Sequence, residues 1–174
     1  MHRTAWIFGL ASIAIVTSTR TAHALGPIDL EVGAKAGVGT KPYNGDGPNP
    51  LGFGLGGRAG VVLLDHLYGG VNVMYYLGDS QNGVSFNTLM YGVEAGWGLK
   101  LLEILTIRPQ VGLGNATFSA GNASNSNLYV EPGVTGLVSL GMLFVGADAN
   151  VLVFPGLANS NAAFTLHGQV GLKF

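Results

Sequence analysis

The chain has 174 residues, a formal net charge of −1 and only 10% charged residues, against about 25% in ordinary soluble domains, while glycine reaches 29 and the mean hydropathy is +0.40. So little charge barely solvates a globular surface, and no basic run offers nucleic acid a counter-charge. The absence of cysteine excludes disulfides, thiolate chemistry, Cys-ligated zinc and a cysteine-linked lipid anchor.

The opening "MHRTAWIFGLASIAIVTSTRTAHA", residues 1–24, carries Arg3, an apolar run from Ala5 to Val16, and closes on Ala22, His23 and Ala24. That is the layout of a cleaved secretory signal with an A-x-A site. As a helix, the run is too short to cross roughly 30 Å of hydrocarbon. The mature chain is expected to begin at Leu25 and to form one domain over 25–174.

From there the sequence alternates eight times with the period of a β-strand. "IDLEVGAKAGV" sets Ile28, Leu30, Val32, Ala34, Ala36 and Val38 against Asp29, Glu31 and Lys35. "LGFGLGGRAGVVL" sets Leu51, Phe53, Leu55, Ala59, Val61 and Leu63 against glycines and Arg58, with Val62 an exception on the polar side. The third segment opposes Leu67, Val71, Val73, Tyr75 and Leu77 to Tyr68, Asn72, Met74 and Tyr76, and the fourth opposes Leu89, Tyr91, Val93 and Trp97 to Glu94 and Lys100. In the fifth, Ile107, Val111 and Leu113 face away from Arg108 and Gln110; in the sixth, Leu128, Val130 and Val134 face away from Tyr129, Glu131 and Thr135. The seventh separates Leu143, Val145, Ala147 and Val151 from Asp148 and Asn150. The eighth ends the chain, with Leu166, Val170, Leu172 and Phe174 opposite His167, Gln169 and Lys173.

Short connections near Asp65, Glu103 and Leu140 alternate with the longer "TKPYNGDGPNP", "DSQNGVS", "TFSAGNASNSN" and "PGLANSN". Such a chain folds as successive antiparallel hairpins, with the short turns at one end and the long loops at the other. The fold class is therefore all-β, an eight-stranded antiparallel up-and-down barrel. Its inside follows from charge: of fifteen charged residues after Ala24, ten share the glycine-rich face, five lie in connections and none is on the apolar face. A soluble barrel of this sequence would present water with a wall of glycine, whereas a transmembrane barrel turns the apolar face to lipid. Counted up from the short turns, Lys35, Arg58, Glu94, Glu131, Asp148 and His167 form a middle tier and Asp29, Glu31, Lys100, Arg108 and Lys173 a lower one. Leu137, Met142, Phe144 and Leu152 also point inward by parity and suggest a partly apolar plug. Pro109 and Pro132 call for local bulges. Phe53, Tyr75, Tyr91 and Phe164 fit an aromatic girdle at the long-loop end and Phe174 one at the other, while Trp97 counts as deeper.

The runs "RPQVGLG" (108–114), "YVEPGVTG" (129–136), "FVGADANV" (144–151) and the terminal "GLKF" resemble the small outer-membrane β-barrels of Gram-negative bacteria, of the OmpA-domain and OmpX type. The resemblance spans the mature chain and implies location in the outer membrane. Phe174, with Leu172 and Val170 before it, resembles the signal by which the barrel-assembly machinery takes up its clients, although Gly168 interrupts the pattern.

The candidate site is the lumen polar network of Lys35, Arg58, Glu94, Arg108, Glu131, Asp148 and His167, in a structural or gating role. His167 is the sole histidine on that face, which favours a hydrogen-bonded residue over a metal ligand. No metal or cofactor is expected. A lipid-modifying barrel enzyme needs serine and histidine toward lipid, which the strand parity does not supply. The expected function is a non-enzymatic, monomeric barrel in contact with lipid, serving as structure or as a scaffold for loops that bind an outside ligand. The alternative is a narrow pore or a path for a small apolar solute.

Overall fold

Alternation gives every strand one apolar face, and a ring of strands pairs the backbone while turning that face outward. The computed structural model describes residues 28–44, 46–156 and 162–174, which form such a ring. Its strands are β1 (Ile28–Gly39), β2 (Phe53–Leu63), β3 (Leu67–Gln81), β4 (Val84–Trp97, resuming over Leu99–Lys100), β5 (Leu105–Ala120), β6 (Ala123–Leu140), β7 (Leu143–Leu152) and β8 (Ala163–Lys173). Each pairs antiparallel with its neighbours in the chain, β4 with β5 included. β8 returns to β1, with Lys173 opposite Glu31 and Thr165 opposite Gly39. Phe174 adds a reciprocal pair of backbone hydrogen bonds with Leu30, both 2.9 Å. Residues 1–24, expected to be a signal, lie outside the described residues.

Leu30, Val73, Leu113, Leu166 and Val170 point outward and are about half exposed, as are Phe53, Tyr75 and Tyr91. The opposite parity is buried. Its glycines make room there: a Cβ on Gly54 would lie 2.6 Å from Cδ1 of Tyr76, and one on Gly60 would lie 2.5 Å from Cε2 of Tyr68. Glycine weakens a strand, but here its missing side chain is the volume the tyrosine rings occupy.

Several expectations are corrected. Two of the four long connections are tall hairpins. β3 and β4 run on to the pair Gln81–Val84 around Asn82 and Gly83, both at positive φ, as a two-residue primed turn requires. β5 and β6 continue to Ala120 opposite Ala123. Serine, threonine and asparagine pair through their backbones as apolar residues do, so polarity ended the apolar pattern without ending the strands. Among the described residues, 40–44, 46–52 and 153–156 remain outside the named strands.

The prolines cause no bulge: the register passes unbroken through Pro109 opposite Val134 and Val111 opposite Pro132. Instead the ladder lapses on one side of each. The β4–β5 pairing breaks between Gly96–Gln110 and Leu99–Ile107, and the β6–β7 pairing skips from Gly133–Asn150 to a single bridge at Val130–Val153. A missing N–H costs no ladder bond where no ladder runs.

Trp97 is at the short-turn rim: it pairs with Leu67, beside the β2–β3 turn, and stacks on His66 with ring centres 5.8 Å apart. Counting from the turn of its own hairpin misplaced it because neighbouring strands are staggered. Met142 lies in the exposed β6–β7 turn, not in the lumen.

The lumen as candidate functional site

Only strand positions of polar parity reach the lumen, and the stagger of the strands decides which of them meet. At the short-turn mouth, Lys173 Nζ lies 2.8 Å from Asp29 Oδ2, partly open to water. Above it, Glu31 of β1 accepts from Arg108 of β5 twice at 2.9 Å and from Arg58 of β2. All three are buried. The Tyr68 ring lies within reach of both guanidinium groups, 4.9 Å from Arg58 and 4.2 Å from Arg108, cation–π contacts that partly replace the lost water.

The middle of the lumen holds two further groups. Tyr68 donates to Glu94 Oε1 at 2.6 Å, Asn72 Nδ2 donates to Glu94 Oε2 at 3.1 Å, and Tyr129 donates to Asn72 Oδ1 at 3.2 Å. Opposite, Asp148 collects Lys35 Nζ at 3.0 Å, Asn150 Nδ2 at 2.8 Å and His167 Nδ1 at 2.6 Å. Nε2 of His167 is 2.6 Å from the Tyr76 hydroxyl. A carboxylate only accepts, so Nδ1 carries the proton toward Asp148, and on a neutral ring Tyr76 donates to Nε2. Both ring nitrogens are therefore engaged. Thr165 Oγ1 is 3.4 Å from Glu131 Oε1, and among the described residues Glu131 makes no ion pair within 4 Å.

Toward the long-loop end the lumen turns apolar. Leu51, Met74, Tyr76, Met90, Ala116, Tyr129, Leu152, Phe154 and Ala163 form one buried cluster. Leu51 and Phe154 enter it from the two loops. The loop that brings Leu51 is strapped down by Asn49: its Nδ2 donates to Gly39 O at 2.9 Å, its Oδ1 accepts from Leu51 N at 3.0 Å, and its backbone N–H reaches Asp79 Oδ2 at 2.9 Å.

All seven network residues named from the sequence are thus inside, but not in the tiers expected. Arg58 belongs with Glu31 and Arg108, because a long guanidinium reaches past the level of its own Cα. Lys100 leaves the lumen altogether and meets Asp65 at 3.4 Å on the exposed turns. The seven-residue network left out Glu31, although it was counted in the lower inward tier, and Tyr68, Asn72, Tyr76 and Tyr129, although their parity had put them on the polar face. Leu51, which the alternation placed on the outward face of the second segment, is instead buried in the cluster, because the strand starts only at Phe53, and Phe154, the last residue of the seventh segment, lies beyond the strand end at Leu152. Val170, Leu172 and Phe174 all face outward on the closing strand.

No protein-family model matches the sequence, and no curated protein does. Solved structures do match. The N-terminal β-barrel domain of Pseudomonas aeruginosa OprF superposes with a TM-score of 0.57 at 15% identity, covering 84% of this chain and 97% of that one. Neisserial surface protein A gives 0.59 at 16%, covering 86% and 98%. The chain has the fold of a small eight-stranded outer-membrane β-barrel. Ail of Yersinia pestis, solved with the heparin analogue sucrose octasulfate, gives 0.55 at 15%, covering 84% of this barrel and 97% of Ail. At such identities the likeness is one of fold.

Proposed function

We propose that this chain is a non-enzymatic barrel of the outer membrane whose lumen is closed, so that its work is done by the outer wall and the long-loop end. The carrying observation is the filled lumen. From Glu31 to Phe154, side chains of successive levels are buried against one another, with each buried cation held by a carboxylate. Eight strands leave an interior that side chains can fill, and here aromatic rings and paired charges do so. The network then acts as a structural pin across β1, β2, β5, β7 and β8.

The likeness to Neisserial surface protein A and Ail supports the outer-membrane location, as does the half-exposed apolar face. Export through the 1–24 signal, a monomeric state, contact with outer-membrane lipid and uptake by the barrel-assembly machinery through Val170, Leu172 and Phe174 belong to the same reading. The seam supports the last point, since Phe174 extends the β8–β1 pairing by bonding back to Leu30. Planar-bilayer recording tests the closed lumen. The purified barrel should give no steady unitary conductance, and reproducible steps would establish the pore instead.

A further inference from the structure

The connections at the two ends of the barrel are of opposite character. At the long-loop end the hairpin tips are Asn82 with Gly83 and Gly121 with Asn122, none of them a large apolar residue. At the short-turn end every turn exposes an aliphatic side chain. Leu64 between β2 and β3 is 70% exposed, Leu102 between β4 and β5 is 64% exposed, and Met142 between β6 and β7 is 57% exposed. These turns are two strands apart around the ring, and the remaining interval is the β8–β1 seam, where Ile28 and Phe174 are about half exposed. Apolar groups therefore crown all four quadrants of this rim. Large exposed apolar groups mark a surface that is covered, and their distribution says by what. A protein docked on one side would need one contiguous patch, and a protein capping the end would also cover the Asp29–Lys173 pair, which is partly open to water at the mouth. A lipid plane meets the ring and leaves its centre wet.

Strand lengths point the same way. Outward apolar positions run from Ile28 to Val38 on β1, from Leu67 to Leu77 on β3 and from Phe164 to Phe174 on β8. At about 3.3 Å per residue and a tilt of about 40°, each run covers roughly 25 Å, the height of the apolar band of such barrels. On β5 the run from Leu105 to Leu113 covers only about 20 Å, because Asn115, Thr117 and Ser119 take the outward positions above it. The shortfall has to be met from below, and the β4–β5 turn is the one richest in aliphatic residues: Leu101, Leu102 and Ile104 are all more than half exposed. Its backbone suits that position. Leu101 N–H donates to Leu105 O at 2.9 Å, Leu105 N–H donates to Leu102 O at 3.2 Å, and Ile104 O accepts from Ser139 N–H at 2.8 Å, so these main-chain groups are already paired where water is scarce. Asp65, Lys100 and Glu103 on the same turns hold them at headgroup level, where charge still meets water.

We infer that the short-turn end is a lipid-binding rim: its turn tips are seated at the boundary of headgroups and acyl chains, with phospholipid as the partner, and only the long-loop end stands clear of the membrane. The inference rests on the membrane-barrel reading and adds the depth at which the barrel sits.

The chain has no cysteine, so Leu64→Cys, Leu102→Cys, Met142→Cys, Asn82→Cys and Val73→Cys each give the full barrel a single site for a bimane label in phospholipid vesicles. All five positions are exposed, so the label replaces no buried side chain. The three turn labels should lose emission in vesicles of lipid brominated near the glycerol end of the acyl chains. The Val73 label, on the wall, should lose more in vesicles brominated near the middle of the chains. The Asn82 label should respond to neither and be quenched by iodide. Turn labels that iodide quenches as strongly as Asn82 and that neither bromolipid dims, with Val73 still dimmed by lipid, would overturn the inference and leave the rim for a docked protein. Dimming of fewer than all three turns would also overturn it, since a plane meets every quadrant. If Val73 itself is insensitive to bromolipid, the membrane-barrel reading fails and the rim with it.

Discussion

The two halves of one lumen are filled by opposite means. Toward the short turns, where the ladders run on between all neighbouring strands apart from a short lapse between β4 and β5, the barrel holds Glu31, Arg58, Arg108, Lys35 and Asp148 almost wholly out of contact with solvent. Toward the long-loop end, where ladders lapse and loops enter, it is filled with Leu51, Met74, Met90, Leu152 and Phe154. The difference follows from what each filling demands. An ion pair removed from water offsets its desolvation only in fixed geometry, and a closed ladder fixes geometry. Apolar contact is non-directional, so it suits an end whose walls are unequal in height and partly made of loop.

The comparison can be broken most severely at Glu31. Replacing Glu31 by alanine leaves two buried guanidinium groups without a carboxylate and should cost about 3 to 5 kcal/mol in equilibrium unfolding from lipid vesicles. Replacing the trio together, Glu31→Leu with Arg58→Met and Arg108→Met, should restore most of that loss, because apolar residues of similar volume commonly equal a buried ion cluster. If the triple variant is as unstable as the single one, the lower half depends on its charges in a way the desolvation argument does not describe. The upper half should respond more mildly. Phe154→Ala removes a ring packed on Phe118 and should cost about 3 kcal/mol, a loss measured by the same unfolding and independent of salt. The smallest effect is expected at Lys100, whose partner Asp65 is as exposed as itself. Lys100→Ala should change stability by less than about 1 kcal/mol, and salt should erase the difference.

Much of this fold was legible because period-two alternation is a local property: each residue's neighbours two positions away reveal its face. Register between strands is not local. Trp97 was given the wrong height for that reason, since its count began from a turn and ignored how far the adjacent strand is displaced, whereas Arg58 was placed by its Cα and reaches Glu31 through its long side chain. Lys100 had inward parity, yet it follows the break at Gly98, and a strand that has lost its neighbour no longer governs where its side chains point. Polar tips such as "SQNG" and "SAGN" looked like loops because they lack apolar residues, although backbone pairing needs none. The plug was the least visible part. Leu51 and Phe154 acquire their role from segments beyond the strand ends: alternation extended the second and seventh strands over them and so turned Leu51 outward, since it does not reveal where a strand stops.

The reciprocal bonds between Leu30 and Phe174 also bear on how the molecule is made. They join the first described strand to the last residue of the chain, the longest sequence separation in the fold, so the entropy of closing that loop falls on the final step. Until then β1 and β8 are open edges able to pair with another chain. A polypeptide shortened by one strand therefore has no smaller closed form to adopt. It remains an unfinished sheet with two adhesive margins, which makes completeness of synthesis a condition for leaving the folding pathway.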